Sequence, residues 1–142
     1  VDIDVIIDCG RLGQAGPPPA LLERCALTAV VLNATLRSVM SARVHLPVLR
    51  DHPRLNSKDR GHLGLIVVGD GQPYGRSEIA KVLDVPVITG IAHDPQTAIH
   101  FSDGAARHRR FDSAPLTRSI RDAAFHLSTT MQRSAELVGG RS

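Results

Sequence analysis

Two nearly unbroken apolar runs constrain this chain most: Leu27-Thr28-Ala29-Val30-Val31-Leu32-Asn33 and Leu63-Gly64-Leu65-Ile66-Val67-Val68. A strand with one face in water alternates apolar and polar residues. A run that does not alternate is shaped for burial on both faces, as in parallel sheets covered by helices. Two further strands are expected at 3–8 and 85–91, with Pro86 at the start of the latter, where its missing N–H does least harm. Helix signals fall between the strands. A triple proline leads into 19–24, and proline suits a first helical turn. Thr35 can cap a helix over 35–49 that Pro47 ends or kinks. Short helices follow at 77–83 and from Asp94-Pro95 to His100. Leu116, Ile120, Ala124, Leu127, Met131 and Val138 mark one face of a long closing helix that Gly139-Gly140 stops. Residues 51–61 and 102–114 are expected as surface loops. Strand–helix alternation of this kind predicts an α/β fold of three layers, a mostly parallel sheet flanked by helices.

The bulk composition fits that class. The 142 residues suit a single domain spanning 1–142, with 42% hydrophobic and 22% charged residues. Aromatics are 3% and Trp is absent, so the core is built from Val, Leu, Ile and Ala. No apolar run approaches the ~18 residues of a membrane span, and no charged start precedes an apolar stretch as in a secretion signal. Cys9 and Cys25 lack metal-ligand spacing and read as reduced thiols of a cytoplasmic protein. The chain opens on Val1 directly before a strand signal, so it is expected to be the C-terminal part of a longer protein. The net charge of +3 is mildly basic.

Candidate site residues sit where expected strands end, because open α/β sheets bind ligands outside the carboxyl ends of their strands. The first is Asp8, followed by Gly10. It is either a ligand of a metal-bound water or the cap of a turn, since Asp is a common turn residue. Gly69 and Asp70 close the third strand and either line a crevice or make a tight turn. His93 and Asp94 close the fourth; they do acid–base work as a pair, they line a ligand, or Asp94 caps the next helix, the favoured reading because adjacent residues rarely point together. Arg107, Arg109 and Arg110 form the densest basic cluster, with His108 between them. Such a cluster can contact phosphates, but with no interleaved aromatic except Phe111 a solvated loop is the favoured reading and DNA binding is not.

In order and spacing these segments resemble the C-terminal half of MinD/ParA-type P-loop ATPases, of a divergent, actinobacterial CpaE-like kind. The resemblance rests on Val5-Ile6-Ile7-Asp8 as a strand ending in a Walker-B aspartate. It continues through the two apolar runs, the helix Ser77-Glu78-Ile79-Ala80-Lys81-Val82-Leu83, and the phrase Val85-Pro86-Val87-Ile88-Thr89-Gly90-Ile91-Ala92-His93-Asp94-Pro95. It implies the second half of a SIMIBI-type P-loop fold and a nucleotide-dependent positioning or partitioning protein. Asp8 would lie near magnesium; Gly10, Gly69, Asp70, His93 and Asp94 would lie near ATP. A protein partner or self-association is implied as well.

The sequence contains no G-x-x-x-x-G-K-[ST] loop to cradle phosphates. ATP and Mg are therefore expected only with a phosphate loop from an upstream segment, and the chain alone is not expected to hydrolyse ATP. Gly69-Asp70 stands where the family often has an adenine-reading Asn, and Ala92 where it often has proline. These departures favour a rival reading, a pseudo-ATPase interaction or scaffold module. A stand-alone flavodoxin-like regulatory domain is a third. The resembling family places its phosphate-loop strand between the strands at 3–8 and 27–33, so a regular ladder between those two would count against the first reading.

Overall fold

The computed structural model describes residues 3–13, 16–53, 55, 63–71, 73–107 and 109–139, the last six of these by backbone alone. Five helices and three strands alternate: α1 (Pro19–Arg24), β1 (Thr28–Asn33), α2 (Leu36–Arg50), β2 (Leu63–Val68), α3 (Arg76–Leu83), β3 (Val87–Ile91), α4 (Pro95–Asp103) and α5 (Pro115–Gly139). The strands form one sheet in the order β1-β2-β3, both pairs parallel. The chain is thus α/β, with a three-strand parallel sheet flanked by helices.

The central strand dictates the layers. Leu63 to Val67 are all buried, with Leu65 and Val67 at 0% exposure. Leu63, Leu65 and Val67 join one apolar cluster with Leu32 of β1, Val39, Leu46 and Leu49 of α2, and Ile79 and Leu83 of α3. Ile66 points the other way, as strand geometry requires. Its register partner Thr89 meets His126 of α5, Oγ1 to Nδ1 at 3.4 Å. Helices α2 and α3 therefore cover one face, and α5 covers the other over β3.

Local signals explain the element bounds. Pro19 opens α1 after Pro18, whose carbonyl accepts from Leu21 N at 2.9 Å. Thr35 caps α2 by accepting the Ser38 N–H at 3.4 Å. Pro47 does not end α2, which runs one turn further; Leu46 and Leu49 on either side are buried, and their packing holds that turn despite the missing N–H. Gly64 sits under a bulge in β3. The register runs Leu65↔Val87 and then Ile66↔Thr89, leaving Ile88 as the extra residue. A Cβ on Gly64 would collide with the side chain of Ile88.

Several expectations need correction. Residues 3–8 form no strand: they are irregular chain outside the sheet, with Ile3, Val5, Ile6 and Ile7 from 49 to 95% exposed. They cannot form a strand without a neighbour to satisfy their backbone groups, and β1 pairs with β2 alone. There is thus no ladder between 3–8 and β1, and among the described residues the sheet has three strands rather than four. The closing helix buries Leu116, Thr117 and Ala123, whereas Ile120 and Ala124, expected on the buried face, are exposed. The 102–114 stretch is less loop-like than expected, because α4 reaches Asp103 and a 3-10 turn, Phe111–Ser113, buries Phe111. The 51–61 loop is described only at 51–53 and at 55; Gly140 and the side chain of Val138 lie outside the described residues.

Truncating Leu65 to Ala should cost about 2–5 kcal/mol, the range for emptying a closed core site. Val31→Ala, on the open face of β1 at 62% exposure, should change stability by less than about 0.5 kcal/mol. Urea unfolding of the two variants tests the two-sided burial of β2; equal losses would contradict it.

Candidate functional site

The carboxyl ends of β2 and β3 open onto a cleft of about 510 Å³ lined by Gly69, Asp70, Gly90, Ile91, Ala92 and His93. That volume lies within the range of small-molecule sites. Backbone geometry builds its walls. Gly69 N donates to Ile91 O at 2.8 Å, extending the β2–β3 ladder one step past the strand ends. Gly69 and Gly71 have φ of 78° and 87°, so the chain turns sharply into α3 through conformations that a side chain would strain.

Asp70 is fixed by two contacts. Its Oδ1 accepts the backbone N–H of Arg76, the first residue of α3, at 3.1 Å. Its Oδ2 pairs with Arg76 Nε at 2.5 Å. A carboxylate at a helix start is favoured by the free N–H groups and the dipole there. Gly90 makes room for this arrangement: a Cβ on it would come within 3.2 Å of both Cβ and Oδ2 of Asp70.

Asp94 takes the capping role. It is the N-cap of α4, accepting Thr97 N at 3.2 Å and the Thr97 hydroxyl at 2.7 Å. Thr97 is buried, so this pair closes the helix start against the protein interior. The loop before it is held from α5: Ala92 N donates to Ser119 Oγ at 3.0 Å, and Ser119 donates on to Leu116 O at 2.9 Å. His93 is exposed at the rim.

Of the residues singled out in the sequence, Gly69, Asp70 and His93 meet in one cleft, with Asp94 next to it. Asp8 and Gly10 do not line it. They lie in the exposed segment before α1, where Gly10 N donates to Asp8 Oδ1 at 2.8 Å, a local turn of the kind Asp favours. Asp8 is an exposed carboxylate with Oδ1 engaged by the backbone. Among the described residues no group of three His, Cys, Asp or Glu is placed to hold a metal ion. Gly90 and Arg76 escaped the sequence reading. A glycine inside a strand pattern marks close backbone approach, and that signal was available at Gly90. Nothing in the spacing ties Arg76 to Asp70.

Among the described residues the lining of the cleft carries no Ser, Thr or Cys, and Asp70 has both oxygens engaged. The basic cluster is elsewhere: Arg107 stacks on Phe111 with its guanidinium 5.1 Å from the ring centre, while Arg109 and Arg110 are exposed. His108 lies outside the described residues. Among the described residues no helix is long and apolar enough to cross a membrane. No protein-family model matches this sequence, and no curated protein or solved structure matches it either.

Replacing Asp94 by Ala should cost about 1 kcal/mol, the usual price of a lost N-cap. Hydrogen exchange should quicken at the first turn of α4 and stay unchanged at Gly69 and Gly90. Slower or unaltered exchange at α4 would argue against the capping role.

Proposed function

We propose that this chain is the second half of a nucleotide-binding α/β unit of the MinD/ParA kind, acting in nucleotide-dependent positioning or partitioning. The observation that carries the reading is the cleft at the joined carboxyl ends of β2 and β3, with glycines at 69 and 90 and His93 at its rim. Open parallel sheets take their ligands at that end. In this reading the cleft receives the base and sugar of a nucleotide. Its glycines keep the floor low enough for a flat ring to approach the backbone, and His93 offers a ring nitrogen and a stacking face at the edge.

The phosphates need other groups. The sequence has no glycine-rich loop ending in Lys-Ser or Lys-Thr, so backbone amides and a lysine for the phosphates must come from another segment. The described residues do not by themselves fit a magnesium site, and no catalytic step is assigned to them. Asp8 would approach such a metal only if residues 3–8 became a strand beside a further one. The exposed apolar side chains of that segment and the unpaired edge of β1 are compatible with such an added strand.

A second reading, a pseudo-ATPase interaction module, draws on one observation. Asp70, the acidic group inside the cleft, is neutralised by Arg76 and tied to the start of α3. That makes the loop a rigid structural corner suited to a scaffold that has lost its nucleotide.

Titration with adenosine and with Mg-ATP, followed by amide NMR, tests the first reading. The expected result is shifts at Gly69, Gly90, Ala92 and His93 for both ligands, with affinity near millimolar, about 4 kcal/mol. Gly90→Val should abolish them. No shifts at these amides would favour the scaffold reading. Micromolar Mg-ATP binding would show that this chain carries a phosphate site of its own.

A further inference from the structure

The outer face of α2 carries an apolar line that the sheet does not use. Leu36, Met40, Val44 and Val48 follow one another at intervals of four residues and are 46 to 72% exposed. Residues four apart on a helix lie one above the other. The buried residues Val39, Ala42, Leu46 and Leu49 occupy the opposite side. The four exposed ones therefore form a ridge along the i+4 row, the row that packs into a groove of another helix.

Beside this ridge, α2 and α3 leave a shallow groove of about 130 Å³, walled by Leu36, Met40 and Tyr74 and by Val82 of α3, itself 50% exposed. A ridge with a parallel groove between two helices is the form that receives a third, amphipathic helix.

Charge decides what kind of helix. Arg37 and Arg43 are exposed on the two sides of the ridge, and α2 contains no acidic residue. Among the described residues neither arginine is in an ion pair, whereas Arg50, at the end of α2, is matched to Asp84 at 3.0 Å. Lys81 is exposed on α3. The one carboxylate on the groove wall, Glu78, is turned back on the helix start, where its Oε2 accepts Gly75 N at 3.3 Å. A second copy docking ridge to ridge would bring together two α2 helices that carry arginines and no carboxylate, and like charges gathered across an interface disfavour it.

We infer that the α2–α3 face is a docking site for an amphipathic helix of a partner protein, apolar along one stripe and acidic on its flanks. The apolar stripe covers Met40, Val44 and Val82, while the flanking carboxylates meet Arg37 and Arg43. The site is independent of the β2–β3 cleft and of any nucleotide.

The probe is a synthetic helix of about 20 residues, with leucines at i, i+3, i+4 and i+7 and glutamates on both flanks. A twin peptide carries lysines in place of the glutamates. Fluorescence anisotropy gives the affinities and amide NMR gives the location. The acidic peptide should bind about tenfold or more tightly than its lysine twin and weaken as salt screens the pairs. It should shift amides of α2 and α3 while leaving Gly69 and Gly90 still. M40E/V44E should abolish binding, and R37E/R43E should reverse the preference between the two peptides. Both variants change exposed positions, and a native far-UV CD spectrum checks the fold. Equal binding of the two peptides, binding of neither, or shifts confined to other elements would overturn the proposal. So would a sedimenting dimer that M40E/V44E dissociates, since the occupant would then be a second copy.

Discussion

The fold depends on the burial of β2 from both sides. Five successive residues, Leu63 to Val67, are removed from water, and a strand with no polar face can be satisfied only by a layer on each side of it. One layer is supplied by α2 and α3, which fill the side of Leu65 and Val67. The other is supplied by α5, which covers Ile66 through β3. Parallel pairing then follows, because helices crossing between strands return the chain to the same end of the sheet. The same geometry brings the exits of β2 and β3 together, so the cleft is a by-product of the core.

That central constraint was legible in the sequence. The unalternating run at 63–68, the proline triplet before α1, the Thr35 cap and the Asp94-Pro95 start all carry their meaning locally, within a few residues; the run at 27–33 does not, because β1 lies at the edge of the described sheet and leaves Ala29, Val31 and Asn33 exposed on one face. What was not legible depended on neighbours. Residues 3–8 have strand composition, yet strand structure needs a partner ladder, and composition does not reveal whether one exists. The closing helix failed at a finer scale. Its buried line runs through Ala123 instead of Ala124 because the direction of α5 is set by where β3 needs cover, which the helical period alone does not fix.

The site divides in the same way. Gly69, Asp70 and His93 could be placed together because strand ends of one parallel sheet share an edge. Asp94 could be weighed between ligand and cap, and its spacing to Thr97 resolves it as a cap. The pairing of Asp70 with Arg76 was not readable, because it arises from the loop doubling back through two glycines with positive φ. An aspartate that looks available in the sequence is thereby a corner post.

The bulge at Ile88 sets the phase of β3. In an unbroken strand Val87 and Thr89 would face the same way, and the Thr89 hydroxyl would enter the apolar layer beside Leu65. The extra residue inverts the facing order for everything after it. Thr89 turns toward His126, and Gly90 turns toward Asp70, where a glycine is what the space admits. One inserted residue thus reconciles a strand whose first half is set by the core with a second half set by the cleft. Length at this point of the chain is consequently more constrained than identity. Other side chains can stand in for Ile88 if they lie flat over Gly64, but deleting the position would exchange the two faces of the strand and bring the wrong residues to the cleft.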